Sequence, residues 1–188
     1  GPVHGPSVDE DPVTRILEEP SFGYLGPALI RRASLEQIGG FIERRMLGQD
    51  LDLMLRIAMA GGRFVQARSQ EVAFFIRQTP NSLWMASLEN KGAMRMLLAS
   101  IRSADEFLRA RNADGALSLR ERRALAWRYA RFLDRYLETD QEAFHEIMTW
   151  FEQNRLRYPP GASLLARSIA SLVGFERALR LRSAYRRA

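Results

Sequence analysis

The chain has 188 residues, enough for one domain with its own core or a half-domain carrying a helical appendage. Apolar residues make up 46% and charged residues 27%, an ordinary globular balance, and no apolar run approaches the roughly 20 residues a membrane span needs. Cysteine is absent, which excludes disulfides and thiolate metal sites, and two histidines, His4 and His145, are too few for a His-rich metal site. The net charge is +6, almost all of it arginine, since Lys91 is the only lysine. That charge reads either as a solvated surface or as attraction to phosphate-bearing partners.

Gly1-Pro2 reads as the scar of a cleaved tag, and more chain is expected upstream. Residues 8–20 are acidic and loop-like, with room for one short helix, and Asp9-Glu10-Asp11 reads as a solvated loop. Leu25, Ala28, Leu29 and Ile30 form a short apolar run suited to a buried strand. Ser34, with Gln37 three positions on, is expected to cap a short helix that stops at Gly39-Gly40, leaving Phe41 to plug the core. Asp50 opens the next helix, where Leu51, Met54, Leu55 and Ala58 repeat at helical spacing until Gly61-Gly62. Two strands are expected after it, over residues 64–67 and 72–76, then a turn at Thr79-Pro80-Asn81.

From Ser82 the pattern becomes helical. A long helix, or two broken ones, should run to Arg111 with Trp84, Leu88, Leu97, Ile101 and Leu108 inward. Residues 112–115 make a turn, and Ser118 with Glu121 spells a capping box. The helix it opens should bury Leu125, Tyr129, Phe132, Leu133 and Tyr136. Thr139 and Glu142 repeat the box for a helix burying Phe144, Ile147, Met148 and Phe151. Pro159-Pro160-Gly161 breaks the chain. A last amphipathic helix carries Leu165, Ile169, Leu172 and Val173 and ends in a basic tail with Arg177, Arg180, Arg182, Arg186 and Arg187, Arg167 lying one turn earlier.

The ordered set from Ala28 to Ser82 (a strand ending in Arg31-Arg32, the Gly39-Gly40-Phe41 turn, Gly48-Gln49-Asp50-Leu51-Asp52-Leu53 opening a helix, and the exit Arg77-Gln78-Thr79-Pro80) resembles the second half of the catalytic domain of family-2 glycosyltransferases. The resemblance covers roughly residues 22 to 84, about a third of the chain. It implies an α/β chain, a partial, Rossmann-like GT-A fold over residues 1–82, followed by an all-α region over 83–188, the whole predominantly helical. It also implies an inverting transfer of sugar from a nucleotide-diphosphate donor to a glycan, lipid-linked or protein acceptor.

Within that resemblance Asp50 is the general base, which takes the proton of the attacking acceptor hydroxyl. Its place at a helix start agrees, since the helix dipole favours the ionised carboxylate there. Asp52 becomes a structural or acceptor-side residue, and Arg77 a bidentate contact to the donor's diphosphate. Gln49 and Gln78, the other substrate-side candidates, stand where the family usually has glutamate and often has histidine. Magnesium or manganese would sit on an upstream Asp-x-Asp motif that this chain lacks.

A cytoplasmic location is expected, with peripheral contact to the inner face of the membrane through the basic last helix. The competing reading is a non-enzymatic helical protein-protein interaction module, residues 83–188 docking partners through aromatic helix faces. Trp84, Trp127 and Trp150 read chiefly as core. Nucleic acid is not expected as a partner, because the arginines are dispersed rather than gathered on one recognition helix.

Overall fold

The computed structural model describes residues 11–19, 25–26, 28–43, 47–65, 90–156, 158 and 164–187, and the chain divides into two compact units, Gly1–Leu117 and Ser118–Ala188.

In the first unit, α1 spans Pro12–Glu18, α2 Arg32–Gln37, α3 Gln49–Met59 and α4 Lys91–Arg111. Both α1 and α4 pack on α3. The sequence explains why α3 is the centre: Leu51, Leu53, Met54, Leu55, Ile57 and Ala58 are all buried, so apolar groups surround most of the helix. Such a helix must be covered on more than one side. Val13, Ile16 and Leu17 of α1 are buried with it, as are Met94, Leu97, Leu98, Ile101 and Leu108 of α4. Each such side chain contributes roughly 1.5–3 kcal/mol by leaving water.

The ends of α3 are set by glycine. Gly48 enters at φ 70°, a conformation that favours glycine, and a Cβ there would lie 2.8 Å from Leu97 Cδ1 of α4, which would have to shift. At the other end the Gly61 N–H donates to the Ala58 carbonyl at 3.0 Å and the Gly62 N–H to that of Ile57 at 2.8 Å, the Schellman pattern. The same pair of bonds closes α2 on Gly39 and Gly40. Both Gly-Gly stops read from the sequence are therefore real.

The expected α/β half is not seen. Among the described residues there is no strand, and the chain is predominantly helical. Leu29, placed in a buried strand, is fully exposed, and Phe41, placed in the core, is 53% exposed. A short apolar run cannot distinguish a buried strand from a surface stretch, and here the core is filled by α1, α3 and α4 instead. Phe64 and Val65 are not in a strand, and Val65 is exposed. The remainder of the two strands expected after α3, with Trp84 and Leu88, lies outside the described residues. The Ser34 cap is also corrected: α2 begins three residues earlier, after Arg31, with Ser34 inside it.

The second unit contains α5 (Leu119–Ala130), α6 (Leu133–Thr139), α7 (Gln141–Gln153), α8 (Leu164–Val173) and α9 (Phe175–Arg187). Its entrance is the capping box: Ser118 Oγ accepts from the Glu121 N–H at 3.2 Å, and the Glu121 carboxylate accepts from the Ser118 N–H at 2.6 Å. The single helix expected to follow is two, because Phe132 leaves helical geometry at φ -119°, ψ 17°. Leu125, Tyr129, Leu133 and Tyr136 are nonetheless buried. The next cap sits one residue beyond Thr139: the Asp140 carboxylate accepts from the Ala143 N–H at 3.3 Å, while the Thr139 hydroxyl donates to the Arg135 carbonyl. All four residues expected to point inward from α7, Phe144, Ile147, Met148 and Phe151, are buried. The Tyr129 and Trp150 rings meet at 4.7 Å between centroids, joining α5 to α7, and Phe151 meets Phe175 of α9 at 5.4 Å. The last expected helix is also two, divided at Gly174, whose φ of 87° no helix interior adopts.

Candidate functional site

Two places carry chemistry beyond packing, and the first is the start of α3. Gln49 and Asp50 are its first two residues; Gln49 is exposed and Asp50 half-buried. Burial pushes the Asp50 carboxyl above its ordinary value, and the Leu25 N–H, donating to Oδ2 over a long 3.5 Å, offsets this only in part. Among the described residues no arginine pairs with Asp50.

Asp52 differs completely. It is buried, and Arg56 Nε donates to its Oδ2 at 2.8 Å. Ser100 of α4 donates to its Oδ1 at 3.4 Å. The rest of the Arg56 fork reaches the end of α2, Nη1 donating to the Ile38 carbonyl at 2.9 Å and Nη2 to that of Gly40 at 2.7 Å. Asp52 thus orients an arginine that ties α2, α3 and α4 together. Residues two apart on a helix take different faces, as the spacing required: Asp52 faces the interior and Asp50 a half-shielded edge. The structure does not place the two carboxylates in one cluster. Arg77 and Gln78 lie outside the described residues.

Arg56 was not singled out from the sequence. Its signal was present, an arginine four residues after a helix-start aspartate, but i,i+4 pairs are common on solvated faces and do not announce a three-way tie. Among the described residues, no group of three or more His, Asp or Glu side chains could hold a metal ion.

The second place is the pair α8 and α9. Ile169, Leu172 and Val173 lie at i, i+3 and i+4, hence on one side of α8, and all three are exposed, Leu172 by 84%. Ala170, off that stripe, is buried. On α9 Leu179 is buried, while Arg177, Arg180 and Leu181 face outward. Arg180 pairs with Glu176 at 2.7 Å and stacks over Phe144 at 5.5 Å from the ring centre. The aromatic faces expected to dock partners are mostly core: Tyr136, Phe144, Trp150 and Phe151 are buried. Trp127 is half-buried, with Arg128 and Arg131 stacked against it at 5.3 and 5.2 Å. Among the described residues, no helix is long and apolar enough to cross a membrane.

Comparison with protein-family models, with curated proteins and with solved structures finds no match to this chain. Together with the helical fold around α3, this overturns the resemblance to family-2 glycosyltransferases. The Gly-Gly turn and the Gly-x-Asp helix start that suggested it are helix punctuation, and any chain that ends one helix on glycine and opens another on aspartate will show them.

Proposed function

We propose that this chain is a helical docking module whose working surface lies on α8 and α9 of the second unit. One observation carries the reading: the apolar stripe Ile169, Leu172 and Val173 faces outward along one side of α8. Scattered exposed leucines are normal, but an apolar stripe along one helix face is the signature of a surface awaiting a partner. The test is retention of the intact chain on a phenyl matrix at high salt. The wild-type chain should be held, and the double variant Leu172→Gln, Val173→Gln should elute early with its helical content unchanged. Equal elution of the two would remove α8 as a docking face.

A second, catalytic reading rests on Asp50, a half-shielded carboxylate without an arginine partner among the described residues. Such a group can accept a proton, as a general base must. With the family resemblance gone, no substrate follows from it. Its test is whether Asp50→Asn, with the fold retained, abolishes a base-dependent activity of the chain.

A further inference from the structure

The charge of the chain is distributed in a way that identifies what α8 and α9 dock on. Residues 164–187 contain six arginines, at 167, 177, 180, 182, 186 and 187, against one acidic residue, Glu176, a net of +5. The whole chain carries +6, so everything else, with 22 basic and 21 acidic residues, is nearly neutral. The segment that exposes an apolar stripe is therefore the same segment that holds the net positive charge.

We infer that α8 and α9 form a peripheral anchor for an anionic phospholipid surface, an inference that rests on their being the docking face. Each half of the arrangement has its counterpart in a lipid headgroup layer. The outward Ile169, Leu172 and Val173 can enter the acyl boundary, where apolar area leaves water. Arg177, exposed on α9, can meet phosphate, and a guanidinium binds phosphate in two-pronged fashion. Leu181, outward on α9 beside Arg177 and Arg180, combines both characters within one turn. The two helices have 10 and 13 residues, too short to span a bilayer and long enough to lie in its interface. A nucleic acid would use the arginines but leave the apolar stripe in water. An acidic protein groove is the remaining alternative, and the experiment separates it.

The intact chain is sedimented with vesicles of phosphatidylcholine alone and with vesicles containing phosphatidylglycerol. Binding is expected to the anionic vesicles only and to weaken steeply with salt. Arg177→Gln should reduce it about fivefold, since each basic residue near such a surface contributes on the order of a factor of five. Leu172→Gln should reduce it about tenfold or more, because burying a leucine contributes at least that much. Both side chains are exposed, so neither change should disturb folding. Binding to the anionic vesicles that ignores Leu172→Gln would show simple polyanion adsorption and overturn the anchor. So would equal binding to both kinds of vesicle, or none. If the phenyl matrix retains the chain through Leu172 while anionic vesicles do not, the anchor fails and the docking face stands. If neither retains it, both fail.

Discussion

Asp11 and Arg111, separated by 100 positions, form a two-pronged ion pair, Nη1 to Oδ1 and Nη2 to Oδ2, both at 2.8 Å. The same aspartate caps α1, accepting from the Thr14 N–H at 3.1 Å and from the Thr14 hydroxyl. One carboxylate therefore starts the first helix and fastens it to the last turn of α4. Burial alone would raise its pKa, but the bonds from Arg111 and Thr14 outweigh burial and lower it from 3.8 to about 2. The folded state thus holds the ionised form more tightly than the unfolded state does. The resulting stability is complete above pH 3.8 and is lost as the pH falls through about 2. Asp11→Ala should cost about 1–2 kcal/mol at neutral pH, mostly from the lost cap. Arg111→Met, which leaves the cap intact, should cost less than about 1 kcal/mol. Urea melts of the two variants give the comparison, and an equal cost would mean that the cap contributes nothing.

The Arg56 fork is the second test. It serves Asp52 and two carbonyls at the end of α2, with all three bonds between 2.7 and 2.9 Å. Arg56→Met leaves a buried carboxylate without this cation, and about 3 kcal/mol should be lost. Arg56→Lys should recover less than half of that, because a single ammonium cannot reproduce a planar three-donor fork. Replacing both partners, Asp52→Leu with Arg56→Met, should be milder than Arg56→Met alone. Chemical denaturation of the three variants decides the matter, and full rescue by lysine would show that charge matters and geometry does not.

The α3 spacing, the glycine stops at 39–40 and 61–62, the Ser118–Glu121 box and the inward face of α7 were all written in local signals. Local hydrogen bonds and periodicity act within one turn, so one stretch of sequence contains them. Leu29 and Phe41 were misplaced because their exposure depends on which other elements fill the core, and no local pattern carries that. The family resemblance failed for a related reason: its pieces were helix boundaries shared by unrelated folds. The Asp52–Arg56 tie needed the position of α2, and the outward direction of the α8 stripe needed the whole second unit.

Arg155 follows Asn154 at the end of α7 and sits at φ 55°, the left-handed conformation that side chains resist. Its N–H donates to the Glu152 carbonyl and that of Leu156 to the Phe151 carbonyl, both at 2.9 Å, the same closure that α2 and α3 make with glycine. Here the sequence supplies arginine where the geometry prefers glycine. The Arg155 side chain is exposed, so little packing opposes its removal. Arg155→Gly should stabilise the second unit by about 0.5–1 kcal/mol, seen as a higher urea midpoint. A loss of stability would show that the arginine side chain contributes more than its backbone conformation costs.

Asp50 should behave in the opposite sense to Asp11. Burial raises its pKa above 3.8, so folding disfavours the ionised form, and the Leu25 bond at 3.5 Å is too long to reverse this. The folded state then binds a proton more readily than the unfolded state, and stability falls as the pH rises from 3.8 through the raised value. Asp50→Asn removes the charge and keeps the shape. It should leave stability at neutral pH unchanged or higher, and it should flatten the slope that the wild-type chain shows just above pH 3.8. Urea midpoints measured across that range on both chains report the difference. A destabilised Asn variant would mean that Asp50 is held by a cation in the fold, like Asp52, and would end its candidacy as a proton acceptor. A stabilised one would show a carboxylate kept ionised at a cost to the fold, which is the condition under which a group positioned for function is found.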